Sequence, residues 1–484
     1  MRRYILGIDE GTTSARSVLY DIDQNEIVDI VSKPIKQFYP HDGWVEQDAN
    51  EISRKVLSNS RALLARNSVT KDELLGIGIT NQRETIIAWN KETGEPIYHA
   101  IVWQCRRTTA DISKLSEKNK KLIKQKTGLI ANSYFSASKM KWIMDNVKEA
   151  KALAKKNKLC FGTIDCYLNY KLTGNFYTDT TNASRTMLMN LKTLQWDGQL
   201  LSMFKIPKSA LPEILASDSH FGDAKKLFGA PICAMIGDQM SSMFGQGAIH
   251  YGNTKVTFGT GGFVLCNIGT ESGKNVPNLL TTVAATINGK TEYAIEGSIY
   301  SACSAVNWLK YSLNMFEEIA ETGEMANSLK SNEGVYLVPA FTGLGAPYWN
   351  DSARATIVGM TFDTKKEHIV RATLESMAYN TKAIFDELKK TGHKFKMISV
   401  DGGGSKNKFV LQFLADMLKH DIVKSKFSES TVLGAVFVAM ISLKIIKPQD
   451  ILKLTESKNI YKPNMDDKTR KRLYQGWLDA IKKV

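Results

Sequence analysis

The sequence predicts an α/β protein whose two domains pack across a cleft. With 484 residues, the chain is longer than a single hydrophobic core usually supports. Near the start of each half, at residues 6–21 and 253–269, a strand, a turn rich in glycine and threonine, and a second strand follow one another. Because strands and amphipathic helices follow both of these units, we predict that the two domains are built from the same order of elements. We place the boundary near residue 245, which gives domains 1–245 and 246–484.

The first elements of the chain are predicted to form a three-stranded antiparallel meander. The apolar runs RYILGID, RSVLYDI and EIVDIVSKPI are separated by turn signals. Asp48 then predicts a helix N-cap, and Glu51 three residues later would complete a capping box. LLGIGIT, at residues 74–80, predicts a buried strand that runs parallel in the same sheet. The helix between Asp48 and this strand has an apolar face, formed by Ile52, Val56, Leu63 and Leu64.

The second half repeats this order of elements. NTKVTFGTGGFVLCNIG predicts a strand, a tight turn and a strand, and KMISVDGGGSKNKFVLQFLADMLKH predicts a strand, a glycine-rich turn and a helix. TVLGAVFVAMISL, at residues 431–443, is the most apolar stretch, and Lys444 follows it directly. This length predicts a buried helix and not a membrane span. One face of the preceding helix is formed by Val410, Phe413, Leu414 and Met417.

Charge and cysteine content restrict the possible partners. The net charge is +15, but the lysines are dispersed, and no aromatic residues interleave with the cluster KNKKLIKQK as a nucleic-acid groove would require. A solvated, lysine-rich surface explains the charge, and it would also attract a polyanionic ligand such as a nucleotide. The six cysteines have no metal-binding spacing, which indicates reduced thiols in a cytoplasmic protein.

Two turns have the composition of phosphate-binding sites. GIDEGTTSAR, at residues 7–16, and FGTGG, at residues 258–262, combine glycine with hydroxyl side chains. Glycine-turn amides and hydroxyls donate to phosphate oxygens, and a neighbouring carboxylate can hold Mg²⁺ through water. Either turn alone is equally compatible with a plain hairpin that has a polar tip. Two such turns facing a shared cleft would form a phosphate clamp.

Polar residues follow apolar strands at three other places. Arg83 and Glu84 in TNQRETIIAW could bind vicinal hydroxyls as donor and acceptor, or form a surface salt bridge. Asp238 in AMIGDQMSSMFGQ is either a helix N-cap or a general base. VDGGGSKN, at residues 400–407, fits neither a P-loop nor a dinucleotide fingerprint. Because its three glycines have no side chains, the base or ribose of a nucleotide could approach the backbone there. A turn at the start of a helix explains the glycines equally well.

Longer motifs resemble those of a known family. YFSASKMKWIMDN, at residues 134–146, and GLGAPYWNDSARATIVGMT, at residues 343–361, resemble the two signatures of the FGGY family of carbohydrate kinases. DGWVEQDA, NQRET, WQCRR, TNASRTML and GDQ…FGQG are similar to the members of that family that phosphorylate glycerol. The resemblance implies two ribonuclease H-like domains of the actin/hexokinase/sugar-kinase type around a central cleft.

The resemblance also implies an activity and a set of site residues. The activity is the ATP-dependent phosphorylation of glycerol to sn-glycerol 3-phosphate, with Asp238 as the general base. The residues implied to bind glycerol are Arg83, Glu84, Tyr134, Asp238, Gln239, Trp103 and Phe263. The phosphates are assigned to Thr12, Thr13, Ser14 and Arg16, and Mg²⁺ to Asp9 and Asp238. The rest of the ATP site is assigned to Thr260, Cys303, Asn307, Gly403 and Asn407.

Some positions depart from the pattern of this family. Glu10 stands where glutamine is more usual, which predicts an additional charge near the phosphates. Cys303 and Asn307 replace the usual glycine and glutamine of the nucleotide site. Residues 223–231 lack the loop that carries fructose 1,6-bisphosphate inhibition in some bacterial relatives, and they lack the histidine that is phosphorylated in others. We therefore expect neither form of control.

Two other functions remain compatible with these motifs. A kinase of the same fold could act on a pentulose or another polyol, although Arg83, Glu84 and Trp103 favour glycerol. An actin- or chaperone-like ATPase would share both hairpins, but it would not need the polar cluster around Tyr134 and Asp238. The expected partners are glycerol and ATP. We also expect a homo-oligomer, either a dimer or a tetramer, that neither binds nucleic acid nor inserts into a membrane.

Overall fold

The computed structural model describes residues 2–272 and 276–484. The strands of the first half are β1 (Tyr4–Glu10), β2 (Ser14–Asp21), β3 (Glu26–Pro34), β4 (Gln37–Phe38), β5 (Glu46–Gln47), β6 (Leu74–Asn81), β7 (Ile86–Asn90), β8 (Ala100–Ile101), β9 (Leu159–Thr163), β10 (Tyr177–Asp179), β11 (Met189–Asn190), β12 (Gln195–Trp196), β13 (Glu213–Leu215), β14 (Gly222–Ala224) and β15 (Ala230–Gly237). Its helices are α1 (Ala49–Arg66), α2 (Thr109–Ser113), α3 (Glu117–Thr127), α4 (Ser136–Asn146), α5 (Lys148–Lys155), α6 (Ile164–Thr173), α7 (Thr180–Ala183), α8 (Gly198–Phe204) and α9 (Asp238–Gly245).

The second half is built from the same kinds of element. Its strands are β16 (Asn253–Phe258), β17 (Gly262–Gly269), β18 (Leu280–Ile287), β19 (Lys290–Ile299), β20 (Tyr336–Val338), β21 (Thr356–Val358), β22 (Met397–Asp401), β23 (Ile422–Lys424) and β24 (Ile460–Tyr461). Its helices are α10 (Cys303–Tyr311), α11 (Thr322–Asn327), α12 (Lys366–Lys390), α13 (Lys408–Leu418), α14 (Ser430–Ser442), α15 (Ile451–Leu454) and α16 (Asp467–Ile481). Short 3-10 turns lie at Lys208–Ala210, Ile319–Glu321, Gly403–Lys406 and Pro448–Asp450.

The two large sheets share a five-stranded core, β3-β2-β1-β6-β15 in the first and β19-β17-β16-β22-β23 in the second, and differ in their edge strands. The first has the order β14-β15-β6-β1-β2-β3, and the second has the order β18-β19-β17-β16-β22-β23-β24. In each, a first strand pairs antiparallel with a second strand and parallel with a later one: β1 with β2 and β6, and β16 with β17 and β22. The predicted meander and the repeated strand–turn–strand unit are confirmed. The boundary near residue 245 falls between the two sheets, and it stays a prediction.

A third, five-stranded sheet belongs to the first half. Its order is β4-β5-β8-β7-β9. Strand β7 begins five residues after β6 ends, so the two sheets are joined by a short connection that contains Arg83 and Glu84. This arrangement brings the loop after β8, with Trp103, and the start of α4 close to the carboxyl end of β6.

Helix α1 begins where the sequence predicts, but its capping differs from the prediction. Asp48 is the N-cap residue, and its carboxylate accepts a hydrogen bond from the backbone N–H of Asn50 at 2.8 Å. The capping box is wrong, because Glu51 pairs with Lys55 one turn further along the helix. An acidic residue in the first turn can favour the helix either by capping or by an ion pair, and here it forms the ion pair.

Helix α14 is the buried helix that the apolar stretch predicts, and it packs on the sheet of the other half. It contacts β1, β6 and β15. A Cβ atom on Gly7 would lie 2.6 Å from Val432, and one on Gly78 would lie 2.4 Å from the carbonyl oxygen of Ala435. Glycine at these two strand positions therefore lets the helix approach the sheet closely.

Helices α9 and α14 cross through two further glycines. A Cβ atom on Gly434 would lie 1.7 Å from the carbonyl oxygen of Ser241, and one on Gly245 would lie 1.8 Å from that of Ser430. Because α9 also contacts β16, β17 and β18, the helix pair lies between the two large sheets. Of the helices in the described parts of the chain, none has both the length and the apolar character needed to cross a bilayer.

We predict that Gly434→Ala destabilises the protein by at least about 1–3 kcal/mol, because the added methyl group must separate α9 from α14. Differential scanning fluorimetry should show a melting temperature lowered by several degrees. The matched control is Gly198→Ala in the first turn of α8, where no atom lies within 4 Å of the added Cβ and alanine is favoured over glycine. Equal melting temperatures for the two variants would contradict the close crossing.

Candidate active site

A cavity of about 490 Å³ lies between the two halves. Both predicted hairpins contribute their tips to its wall, together with residues that follow β6, β8 and β15. The structure therefore brings the two turns and Asp238 to one shared void. The predicted site residues that line it are Thr12, Thr13, Arg83, Glu84, Trp103, Tyr134, Asp238, Gln239, Thr260 and Phe263.

The tip of the β1–β2 hairpin is fixed by hydrogen bonds from side chains outside it. The carbonyl oxygen of Thr12 accepts from Gln37 Nε2 at 3.0 Å and from Gln47 Nε2 at 2.6 Å. The Trp103 indole N–H donates to Thr12 Oγ1 at 2.9 Å. These contacts attach the hairpin to the five-stranded sheet, so its position is set by tertiary structure as well as by the turn.

The tip of the β16–β17 hairpin is fixed in the same way by the start of α10. The carbonyl oxygen of Thr260 accepts from the N–H groups of Ala302 and Ser304 at 2.9 and 3.2 Å. The carbonyl oxygen of Gly259 accepts from the N–H of Cys303 at 3.0 Å. Helix α10 therefore begins directly against the second hairpin.

Asp238 is the first residue of α9, and Gly237 before it is the N-cap. The N-cap interpretation of Asp238 is therefore wrong. Its Oδ1 accepts from the N–H of Gln239 at 2.6 Å and lies 3.1 Å from Arg83 Nε. A Cβ atom on Gly237 would lie 2.8 Å from Arg83 Cγ, so this glycine lets the arginine pass beneath the start of the helix.

Arg83 and Glu84 belong to a buried network of four charges. Two nitrogens of Arg83 donate to the two carboxylate oxygens of Glu296, at 2.6 and 3.1 Å. Arg185 donates to Glu84 at 2.5 Å and to Glu296 at 3.1 Å. Because the side chains of Arg83 and Glu84 are each only 2% exposed, the surface salt bridge considered for them is wrong. Glu84 has a φ of 62°, a left-handed conformation that a non-glycine residue adopts at some cost.

The charges of the two arginines keep Glu296 ionised. Burial alone would raise the pKa of Glu296, but the charges of Arg185 and Arg83 outweigh it and lower the pKa to about 2. Burial raises the pKa of Glu84, against the opposing charges of Arg185 and Arg83. A buried carboxylate that two arginines share remains charged at neutral pH.

The helix of the first signature, α4, supports the same region from behind. Ser136 Oγ donates to the carbonyl oxygen of Glu84 at 2.9 Å. Lys139 Nζ donates to the carbonyl oxygen of Tyr134 at 2.6 Å. The rings of Tyr134 and Trp103 meet edge to face, with their centroids 5.5 Å apart. The serine and the lysine of this signature therefore position residues of the cavity wall.

Asp9, Ser14 and Arg16 lie on the strands of the first hairpin, outside the residues that line the cavity. Asp9 is opposite Arg16 across β1 and β2, and Arg16 forms an ion pair with Glu429 of the second half. Burial raises the pKa of Asp9 to about 7, with Asp238 adding to the increase and Arg16 opposing it.

The donor set around Asp9 fits Mg²⁺. Asp9 and Asp238 are close enough for their charges to interact, and carboxylate oxygens are the ligands that this ion prefers. Within residues 2–272 and 276–484, no group of three or more His, Cys, Asp or Glu side chains could enclose a metal. Mg²⁺ commonly needs only one or two carboxylates, with water and phosphate oxygens completing its shell.

Glu10 is not among the residues that line the cavity. It is fully buried, and its carboxylate accepts from Gln82 Nε2 at 3.1 Å. Burial raises the pKa of Glu10 well above its ordinary value. The additional charge near the phosphates stays a prediction.

The remaining residues assigned to ATP are not among those that line the cavity, and two of them, Cys303 and Gly403, lie beside Phe258, which precedes the second turn. Cys303 Sγ lies 3.4 Å from the carbonyl oxygen of Phe258, and a Cβ atom on Gly403 would be 3.9 Å from that sulfur. Asn407 is the N-cap of α13, and its amide nitrogen donates to Thr322 at 3.0 Å. Asn307 is exposed on the next turn of α10.

Sequence reasoning missed three buried residues of this site: Arg185, Glu296 and Lys255. Arg185 lies in TNASRTML, which resembled the family but received no role. Glu296 and Lys255 are charged residues at completely buried positions of strands β19 and β16. A charge within a buried strand is the signal that could have found them, because it requires a partner.

Two α/β halves whose large sheets share a five-stranded core, with a hydroxyl-bearing hairpin from each facing a common cavity, define a two-domain sugar-kinase fold. Residues 4–245 match the model of the FGGY family of carbohydrate kinases, N-terminal domain, and residues 254–443 match its C-terminal domain. The chain belongs to this family, and the predicted fold class is confirmed.

Individual relatives cover nearly the full chain. The glycerol kinase of Thermococcus onnurineus is 44% identical, over 100% of this chain and 98% of the relative. The crystal structure of Plasmodium falciparum glycerol kinase with ADP has a TM-score of 0.92 at 37% identity, and it covers 100% of this chain and 98% of that one. The crystal structure of gluconate kinase from Lactobacillus acidophilus has a TM-score of 0.87 at 26% identity, with 98% and 96% covered.

We predict that Glu296→Gln lowers the free energy of unfolding by about 3–5 kcal/mol, because Arg83 and Arg185 lose the carboxylate they share. Urea unfolding followed by tryptophan fluorescence measures this change. The control is Asp479→Asn, which removes a surface pair with Lys482 whose side chains are 54% and 71% exposed and should change stability by less than about 1 kcal/mol.

Wild type and Glu296→Gln also allow a pH test of the network. The folded-state pKa of Glu296 lies below its ordinary value of 4.5, so its stabilisation is complete above about pH 4.5 and is lost as the pH falls towards about 2. The stability difference between wild type and Glu296→Gln should therefore shrink in that window. A difference that stays constant down to the lowest pH at which both fold would contradict the ionised state of Glu296.

Proposed function

We propose that the chain phosphorylates glycerol with ATP and forms sn-glycerol 3-phosphate. The observation that carries this proposal is the single cavity that combines the tips of both hairpins with Arg83, Glu84 and Asp238. The full-length similarity to glycerol kinases supports the same substrate. An ATPase that only changes conformation would not need a buried set of hydroxyl-binding side chains beside its phosphate hairpins.

Each part of the site receives a role in this proposal. The hydroxyls of glycerol are bound by Arg83, Glu84, Tyr134 and Gln239, and its carbon chain contacts Trp103 and Phe263. The phosphates of ATP are bound by Thr12, Thr13, Ser14, Arg16 and Thr260. The rest of the nucleotide is bound by Cys303, Asn307, Gly403 and Asn407. Residues 1–245 and 246–484 act as the two domains that hold these groups together.

Asp238 is the proposed general base. As the oxygen of a glycerol hydroxyl forms its bond to the γ-phosphorus, its proton passes to the carboxylate, and the bond from phosphorus to the departing ADP oxygen breaks. Both described contacts of Asp238 are made by Oδ1, so Oδ2 is the oxygen proposed to take the proton. Such proton transfer contributes about 10²–10⁴-fold in rate.

Positioning and charge neutralisation supply the rest of the acceleration. Mg²⁺, held by Asp9 and Asp238, would neutralise negative charge on the phosphates. The four buried charges keep Arg83 and Glu84 in one geometry before the substrate arrives, so little reorganisation is needed on binding. A substrate without the matching hydroxyls would leave these groups unpaired, which is a source of selectivity.

We predict that Asp238→Asn keeps the fold and lowers kcat by at least about 100-fold, because the amide cannot accept the proton. A coupled assay of ADP release measures kcat, and circular dichroism checks the fold. The matched control is Asp223→Asn, an exposed carboxylate of the same half, which should retain full activity. Nearly full turnover by Asp238→Asn would remove the assignment of the base.

The acceptor is tested with a panel that contains glycerol, xylulose, gluconate and shorter polyols. The similarity at 26% identity to a gluconate kinase and to a xylulose kinase makes a sugar acid or a ketose the second candidate. We expect the largest kcat/KM for glycerol, because the buried donor and acceptor pair of Arg83 and Glu84 matches vicinal hydroxyls. A larger value for another acceptor would transfer the activity to that substrate, and ADP release without any acceptor would indicate an ATPase.

A further inference from the structure

Lys255 is a buried cation with no role in the function proposed above. It lies on β16, three residues before the Phe258 that ends the strand and leads into the second hairpin. Its side chain is completely buried. Its ammonium group donates to Gln239 Oε1 and to Thr257 Oγ1 at 2.9 Å. Gln239 and Thr257 both line the cavity.

The chemistry of this contact fixes the orientation of an amide. An ammonium group carries three donors and no acceptor, so it can only face the oxygen of the Gln239 side chain. The NH₂ group of that amide is then turned away from Lys255. Since Gln239 lines the cavity and is itself 9% exposed, the NH₂ group becomes a donor to a ligand there.

We propose that Lys255 is a positioning residue that holds Gln239 as a hydrogen-bond donor to an oxygen of the polyol substrate. The proposal rests on the proposed function, because it concerns recognition of the acceptor and not the transfer step. The contact between Lys255 and Gln239 also joins the two halves, because Gln239 is on the first turn of α9 and Lys255 is on the strand that leads into the second hairpin.

A purely structural role explains Lys255 less well. Burial lowers the pKa of Lys255 to about 8, although the charges of Asp401 and Asp238 oppose this decrease. A buried ammonium is costly where an apolar side chain of the same length would fit. Asp401 does not depend on it for hydrogen bonds, because its carboxylate accepts from Thr257 and Ser430. What the lysine adds is a fixed donor to Gln239 and Thr257.

The test is a double-mutant cycle on Lys255 and Gln239. Lys255→Met should raise KM for glycerol by about 3–10-fold, the value of one lost hydrogen bond, with kcat changed by less than about 2-fold. Gln239→Met should raise KM at least as much. The double variant should be no worse than Gln239→Met alone, because Lys255 acts through that side chain. Additive effects, or an unchanged KM for Lys255→Met, would overturn the proposal.

The matched control is Lys124→Met. Lys124 is also a largely buried lysine that joins the two halves, since it donates to the carbonyl oxygens of Gly128 and Leu279, and burial lowers its pKa to about 8. It does not line the cavity, so its loss should leave KM for glycerol unchanged while it lowers the melting temperature. An equal increase in KM for this control would show that Lys255→Met acts through stability.

A second variant tests the direction of the amide without touching Lys255. Gln239→Glu keeps an oxygen towards the ammonium but replaces the NH₂ group with another oxygen, so we expect KM for glycerol to rise as much as in Gln239→Met. A KM close to that of wild type would overturn the proposal. If wild type does not phosphorylate glycerol at all, the proposed function fails, and the same variants are compared with whichever acceptor the panel identifies.

Discussion

The geometry of the cavity depends on the contacts of the Glu296 carboxylate. It belongs to the second half of the chain, and it binds two arginines of the first half, Arg83 and Arg185. Each arginine also pairs with a carboxylate of its own half, Arg83 with Asp238 and Arg185 with Glu84. Glu296 is the carboxylate that both arginines share across the halves, and its removal would leave part of this buried positive charge without a partner. The contact therefore favours one register of the two halves, which sets the side chains that line the cavity.

Local patterns in the sequence were sufficient for much of the fold. The meander, the two hairpins and the buried helix at residues 430–442 are defined by apolar runs and glycine turns a few residues long. The capping at Asp48 was predicted only in part, because an acidic residue one turn further in can pair with a lysine instead of the helix end. Neighbouring residues identify the type of an element better than they identify the partners of its side chains.

The partners of the buried charges could not be read from the sequence, for a physical reason. Arg83 and Glu296 are separated by 213 positions, and a carboxylate in a strand pattern does not indicate which cation it will meet. The packing partner of α14 could not be read from the sequence either. Its apolar surface predicts burial, but not that the helix lies on the sheet of the other half. The role of Asp238 was ambiguous because an N-cap and a catalytic carboxylate have the same local sequence.

The first turn of α9 is where these constraints converge. Gly237 lets Arg83 pass under Asp238, and Lys255 reaches Gln239 from the strand of the second hairpin. The glycines of the α9–α14 crossing hold the far end of the helix between the sheets. A small movement of one half against the other would therefore change the positions of Asp238 and Gln239 together. Through the contact between Lys255 and Gln239, the geometry of this part of the cavity depends on the position of the second hairpin.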